Sequence, residues 1–384
     1  MALVIPSKLI LRSDVEASAR RLNRAPKSRV QRGSSHVRRA SLYSKLQNFL
    51  AYLCLALFLL TNPFLGAQTS QPKDALPVPL HFVREFSSAK DLKGVSHPIL
   101  NKTLDIIAGP KEPGPPPPSE LQAPYAITAD SLHRVFVTDL SQALVHVFDF
   151  GKAEHSVIGT NRLRSPMGIA TDHQGNIYVS DSLLRTVLVY DPNGKFVRYL
   201  KKPRSDESYF DAPQGVAVDP ASDRVYVCDT PRHMVIAFDK KGHVVSTFGK
   251  RGGGSAPGEF KEPTQVVVNH GEIFVLDSGN SRVQILNQQG RFKREIKLPN
   301  LHRRAGLAVD SAGTTYVTDP DLNHVQAFGP NGQLLYFFGE TGTAAGQFNG
   351  VSGAWVNSGD CLYLVDTANR RVQLFQVSTL AGGC

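Results

Sequence analysis

The sequence predicts an all-β protein, a six-bladed β-propeller, on three observations. A short run of β-branched and aromatic residues ending in Asp recurs six times: VFVTD to Asp139, IYVSD to Asp181, VYVCD to Asp229, IFVLD to Asp277, TYVTD to Asp319 and LYLVD to Asp366. These Asp residues follow one another at 42, 48, 48, 42 and 47 residues. A period in the forties with several short strands per unit is the spacing of propeller blades. Third, the last repeat lacks a fourth strand, and a strand of that type stands ahead of the first repeat.

Each repeat reads as a four-stranded antiparallel meander. The first strand opens with a small residue: YAITAD from Tyr125, MGIATD from Met167, QGVAVD from Gln214, TQVVVN from Thr264, AGLAVD from Ala305 and SGAWVN from Ser352. A polar turn such as HQGN leads into the Asp-terminated second strand. The third strand follows as LVHVFD, TVLVYD, MVIAFD, RVQILN, HVQAFG or RVQLFQ, and a fourth as KFVRYL, HVVSTF, RFKREI or QLLYFF. Period-2 alternation between Gly, Asn and Asp turns is the pattern of neighbouring antiparallel strands. One such sheet cannot cover both of its faces, whereas six packed radially can.

The final repeat ends at RVQLFQVSTLAGGC, while His81-Phe82-Val83-Arg84-Glu85-Phe86 matches KFVRYL and RFKREI. The ring is therefore expected to close by pairing this N-terminal strand with the last blade, which removes the open edges. Asp91–Ala123, containing KEPGPPPPSE, is expected as an extended, proline-rich surface loop.

The charge separates into two parts. The chain carries a net +10, but residues 1–67 hold 11 Lys and Arg against two acids, Asp14 and Glu16, leaving 32 basic and 31 acidic residues after Ala67. A basic, unfolded leader is expected over 1–47. A signal peptide or signal anchor is expected over 48–67, centred on the apolar run Phe49–Leu60, and a linker over 68–80. Positive charge ahead of the apolar run predicts an inside N-terminus and an exported propeller, either membrane-anchored or released by cleavage near Ala67. The length of the leader also fits a start codon placed too far upstream. A near-neutral propeller argues against nucleic acid as a partner. Of the four cysteines, Cys54 lies within the apolar run and Cys228 in blade 3. Cys361 and Cys384 both fall in the last repeat, where they either pair or stay as thiols.

The pattern P-x-G-[IV]-A-[VT]-D, then YV-x-D, then N-x-R-V-Q resembles the NHL repeat, over about residues 81–384. It is clearest in DSGNSRVQIL of blade 4 and DTANRRVQLF of blade 6, whereas DLSQALVHVF and DTPRHMVIAF depart from it. The resemblance implies the fold but leaves activity open, since one scaffold hosts many functions. NHL-like amidating lyases use zinc on His ligands, and gluconolactonase-type propellers hold a divalent metal. The positions opening strand one are Tyr125, Met167, Gln214, Thr264, Ala305 and Ser352, followed by small residues or Gln265. These supply no such ligands. No metal, cofactor or catalytic residue is assigned. The repeated Asp residues are expected to bind turn N–H groups. His233 and His324 are expected at the surface.

Basic residues concentrate in the loops that would form the channel mouth. Arg185, Arg232, Arg282, His324, Arg370 and Arg371 lie between second and third strands. Arg162, Arg164, Arg204, Lys250, Arg251, His302, Arg303 and Arg304 lie ahead of first strands. The candidate patch is Arg185, Arg232, Lys250, Arg251, Arg282, Arg303, Arg304, His324 and Arg370. Arg282 and Arg371 also admit a purely structural reading, as ties between a blade turn and its neighbour. The expected function is a monomeric, non-catalytic binding or scaffold propeller recognising a protein or anionic polymer through this mouth. A metal-dependent lyase or hydrolase is the alternative.

Overall fold

The computed structural model describes residues 80–94, 118–200, 209–299, 301 and 305–377. The chain divides into two units at Lys73/Asp74, and every described residue belongs to the second. The leader 1–47, the apolar segment 48–67 and residues 68–79 of the linker lie outside the described residues. Among the described residues no helix is long and apolar enough to cross a membrane.

Six antiparallel four-stranded sheets follow one another along the chain. Blade 1 is built from Pro124–Ala129, Arg134–Asp139, Leu144–Asp149 and Glu154–Ile158, and blade 4 from Pro263–Asn269, Glu272–Asp277, Arg282–Asn287 and Phe292–Lys297. Blade 6 takes Val351–Val356, Cys361–Asp366 and Arg371–Gln376 from the C-terminal end, and its outer strand is His81–Phe86. The register of this closure repeats that of blade 4. Glu85 stands opposite Gln373 and Phe86 opposite Val372, as Glu295 stands opposite Gln284 and Ile296 opposite Val283. Arg371 donates to Glu85 at 2.6 Å, just as Arg282 donates to Glu295 at 2.9 Å. The strand borrowed from the N-terminal side thus carries the full chemistry of an ordinary fourth strand.

Alternation along each strand divides its side chains between two neighbours. In blade 1, Val135 and Val137 pack with Val365 and Leu374 of blade 6, while Phe136 between them packs with Ile169 and Val179 of blade 2. Blade 4 does the same: Ile273 and Val275 face blade 3, and Phe274 and Leu276 face blade 5. Both faces of every sheet are therefore core, which is why the middle strands read as unbroken apolar runs. Each such fully buried side chain contributes roughly 1.5–3 kcal/mol.

The glycine of the repeated P-x-G has a packing reason. A Cβ on Gly168 would lie 2.4 Å from the Gln214 carbonyl oxygen. On Gly306 it would lie 2.2 Å from that of Ser352, and on Gly353 2.5 Å from that of Tyr125. At these three positions only glycine lets the neighbouring inner strand approach this closely. Hydroxyls reinforce the approach, with Thr318 Oγ1 donating to the Ser352 carbonyl at 2.8 Å and Thr367 Oγ1 to that of Pro124 at 2.8 Å.

The expected loop 91–123 is partly a correction. Its start belongs to a 3₁₀ turn, Ala89–Gly94, and its end is held to that turn by the Ser88–Glu120 bridge. Leu92 and Leu121 are both buried, in the core between blades 6 and 1. Apolar side chains at the two ends, absent from the proline run between them, account for the difference. Residues 95–117, with most of that run, lie outside the described residues.

Candidate functional site

At one end of the ring, the repeated Asp of blades 1 to 4 and 6 joins two loops. Asp139 Oδ2 accepts the N–H groups of Gln122 and Ala123, ahead of strand one, at 2.7 and 3.0 Å. Its Oδ1 accepts those of Ser141 and Gln142, in the turn after strand two, at 3.1 and 3.0 Å. Asp181 repeats this with Arg164, Ser165, Leu183 and Leu184. All six Asp are buried. In those five blades the carboxylates hold together the loops that make up this face, and Asp319 accepts the N–H groups of Asp321 and Leu322 in its own turn. The turns they anchor share a left-handed residue, with φ of 51–60° at Ala143, Arg185, His233, Ser281, Asn323 and Arg370. None of these is Gly, so no turn residue betrayed the conformation in the sequence. The Asp latch offsets its cost, roughly 1–2 kcal/mol per residue.

The basic residues of the same face are largely spent inside the protein. Arg282 is buried, its guanidinium bonded to Asp277, Glu295 and the carbonyls of Ala256 and Glu259. Arg371 makes the matching set with Asp366, Glu85 and the carbonyls of Ala344 and Gln347. Arg185 and Arg232 converge on Asp211 of the loop entering blade 3, at 2.6 and 3.0 Å, and Lys250 pairs with Glu259 at 2.5 Å. Burial acts to raise the Asp211 carboxyl, but the bonds and charges of Arg232 and Arg185 outweigh it and hold it below the usual range. Five expected mouth cations therefore have carboxylate partners, and the uniform positive ring does not form from them. His324 lies half-buried against the Phe337 ring. His233, expected at the surface, accepts the Glu262 N–H at 3.0 Å and is half-buried. Arg162 is seated over the Phe196 ring, its guanidinium carbon 4.1 Å from the ring centroid. Arg251 and Arg370 are exposed. Arg204, His302, Arg303 and Arg304 lie outside the described residues.

Two leucines share this face. Leu183, in the turn after Asp181, is 71% exposed, and Leu322, after Asp319, is 53% exposed. They belong to blades 2 and 5, which stand opposite each other in a six-membered ring. Nothing in the latch requires an apolar side chain there, since other blades place Ser141, Gly279 or Asn369 in these turns. Both were visible in the sequence as DSLLR and DPDLN but carried no signal until their exposure was known.

Around the axis, strand one of every blade is the edge of its sheet. These six edges enclose a cavity of about 540 Å³, which runs from the level of Gly168, Gly306 and Gly353 to the turns between first and second strands. None of the seven described candidate patch residues lines it. Its wall includes Gln265, Asn269, His270, Asp310, Trp355 and Asn357. Among the described residues no group of three His, Cys, Asp or Glu is placed to share a metal ion.

A pair of histidines in blade 1, His146 buried and His155 half-buried, also escaped the sequence reading. His146 Nδ1 is 3.0 Å from His155 Nε2, its Nε2 is 3.2 Å from Gln142 Oε1, and Asp139 lies 3.9 Å away. Burial, then the neighbouring His155, push the His146 pKa down to about 4 against the opposing pull of Asp139. The residue fills the place of Gln284 in blade 4 and Gln373 in blade 6, whose amides bond Asp277 and Asp366.

Comparison with known proteins agrees with the architecture. A family described as "6-bladed beta-propeller" matches residues 215–319. The chain is a six-bladed β-propeller. Its NHL-related relatives include the protein brain tumor of Drosophila melanogaster, 34% identical over 134 residues. That alignment covers 35% of this chain and 13% of the relative. A second is the peptidylglycine alpha-amidating monooxygenase of Rattus norvegicus, 33% identical over 150 residues, or 36% of this chain and 15% of that protein. The propeller thus matches only a small part of either relative. Among solved structures, an auxiliary nutrient binding protein from Bacteroides thetaiotaomicron superposes with a TM-score of 0.52 at 12% identity, covering 67% of this chain and 69% of that one. A streptogramin B lyase superposes at 0.50 and 11% identity, covering 66% and 93%. At such identities the likeness is one of fold.

Proposed function

We propose that this propeller is a non-catalytic binding module that docks a protein partner across the face formed by the Asp-latched loops. The observation that carries the reading is the pair of exposed leucines, Leu183 and Leu322, on turns whose structural chemistry is already complete. Exposed apolar side chains on the latched loops, with Arg251 and Arg370 also exposed in the loops of this end, supply the apolar and basic groups of an interface. Because the leucines stand on opposite blades, the partner spans the mouth rather than a single blade. An anionic polymer is the lesser reading, since five of the expected cations are paired internally. Placement of the module on the exported side of a membrane, anchored by Phe49–Leu60 or released near Ala67, belongs to the same proposal and rests on the sequence. The relatives include a monooxygenase, but the described residues offer no three-ligand metal cluster from which a metal-dependent lyase or hydrolase would be built.

Photo-crosslinking residues placed in turn at Leu183, Leu322 and Leu132 test this. Leu132 is 67% exposed in the turn between first and second strands, at the other end of the ring. Adducts with one partner from positions 183 and 322, and none from 132, are expected. Equal labelling from all three, or labelling from 132 alone, would refute the docking face.

A further inference from the structure

The geometry points to a second, independent site: the central cavity binds a small, uncharged ring compound bearing an amide or hydroxyl group. Its volume of about 540 Å³ falls within the usual range for small-molecule sites, roughly 300–1,000 Å³. Its chemistry is set by three departures from the repeat.

The first is Gln265. At the position where neighbouring inner strands nearly touch, the other blades carry Ala126, Gly168, Gly215, Gly306 and Gly353. Blade 4 alone places a long side chain there. Gln265 is half-buried on the cavity wall, lying against the backbone at Gly215, and no described residue hydrogen-bonds its amide. A carboxamide in that position offers one donor and one acceptor group to whatever enters.

Trp355, the single tryptophan of the chain, is the second. It lies two residues beyond Gly353 on strand one of blade 6, so it lines the cavity about 7 Å further along the axis. Half-buried, with its ring 5.4 Å from that of Tyr363, it is held in place as an apolar wall for a flat ligand.

Third, the cavity is electrically quiet. The one carboxylate among its described lining residues, Asp310, is buried and saturated: Oδ1 accepts the N–H groups of Ala312 and Thr314, and Oδ2 accepts the Tyr316 hydroxyl at 3.0 Å. Among the described lining residues, His270, exposed at the rim, is the only other titratable side chain. A charged ligand would lose hydration without gaining a counter-ion. A neutral one meets amides and the open inner edges of strand one.

The test uses the full chain and matched probes, nicotinamide against nicotinate and benzamide against benzoate, read by Trp355 fluorescence and by saturation-transfer NMR. The neutral members are expected to perturb Trp355 and bind, and the carboxylates to do neither. Gln265→Ala, the residue type blade 1 already tolerates, should weaken binding about fivefold to tenfold. Trp355→Phe, followed by NMR alone, should weaken it several-fold while keeping an aromatic wall. Failure of both neutral probes, equal binding of the carboxylates, or wild-type affinity in both variants would overturn the assignment. Leu183→Asp, on the docking face, should leave probe binding unchanged, so the two sites stand or fall separately.

Discussion

Acid should weaken the ring through one residue. His146 has no exposed side-chain surface and titrates at about 4 in the fold, against 6.5 for the ordinary side chain. The groups facing it are His155 from the adjacent strand, Gln142 and Asp139, with the Phe148 ring stacked alongside. The folded state needs the neutral imidazole, so this stabilisation is complete above 6.5. It declines as pH falls from 6.5 toward about 4, where the folded histidine takes its own proton. At about 1.4 kcal/mol per pH unit, the loss by pH 4 is about 3 kcal/mol. His146→Gln installs the residue that blades 4 and 6 use at this place and removes the titration. Urea unfolding followed by circular dichroism, at steps between pH 7 and pH 4, should show the wild type losing about 3 kcal/mol more than the variant. Acid-labile groups away from this pair remain in both proteins and cancel in the difference, so the difference reports His146 together with its coupling to His155. If the two stabilities run parallel across that range, His146 is not the acid sensor.

Other outcomes follow from the same geometry. Arg371→Ala leaves the buried Asp366 without its guanidinium and should cost roughly 3–5 kcal/mol. Glu85→Gln, at the half-exposed end of the second ion pair of Arg371, should cost roughly 0–1 kcal/mol; urea midpoints separate the two. Gly306→Ala drives a Cβ into the Ser352 carbonyl and should lose about 1–3 kcal/mol by the same assay. Cys228 is free, fully buried, and its thiol is pushed up by burial. It should resist iodoacetamide in the native protein and react on unfolding, as mass spectrometry of the labelled peptide would show. Cys361 is disulfide-bonded and should stay unlabelled in both states until reduced.

The fold was legible because each of its requirements recurs. One Asp per blade, one small residue in strand one and one apolar run per middle strand produce a period that composition alone would hide. The match between HFVREF and RFKREI even carried the closing ion pair, since Glu85 and Glu295 occupy one register. The site was not legible in the same way. Arg185, Arg232 and Lys250 looked available because their partners Asp211 and Glu259 lie 9 to 26 residues away, where no local pattern links them, whereas Arg282 and Asp277 share one motif that already admitted a structural reading. Gln265 and Trp355 stood in plain view as breaks in a motif. Only the approach of six strand edges around one axis shows that the breaks line a common cavity.

By itself, then, the sequence determined the number of blades, the strand that closes the ring and the structural duty of the repeated Asp. These depend on periodicity and on hydrogen bonds made within one repeat or its register. Tertiary structure decided which charges are free, where the cavity lies and which leucines face solvent. Those properties depend on distances between blades, and a residue's ion pair or exposure is set by neighbours that the order of the chain does not bring near it.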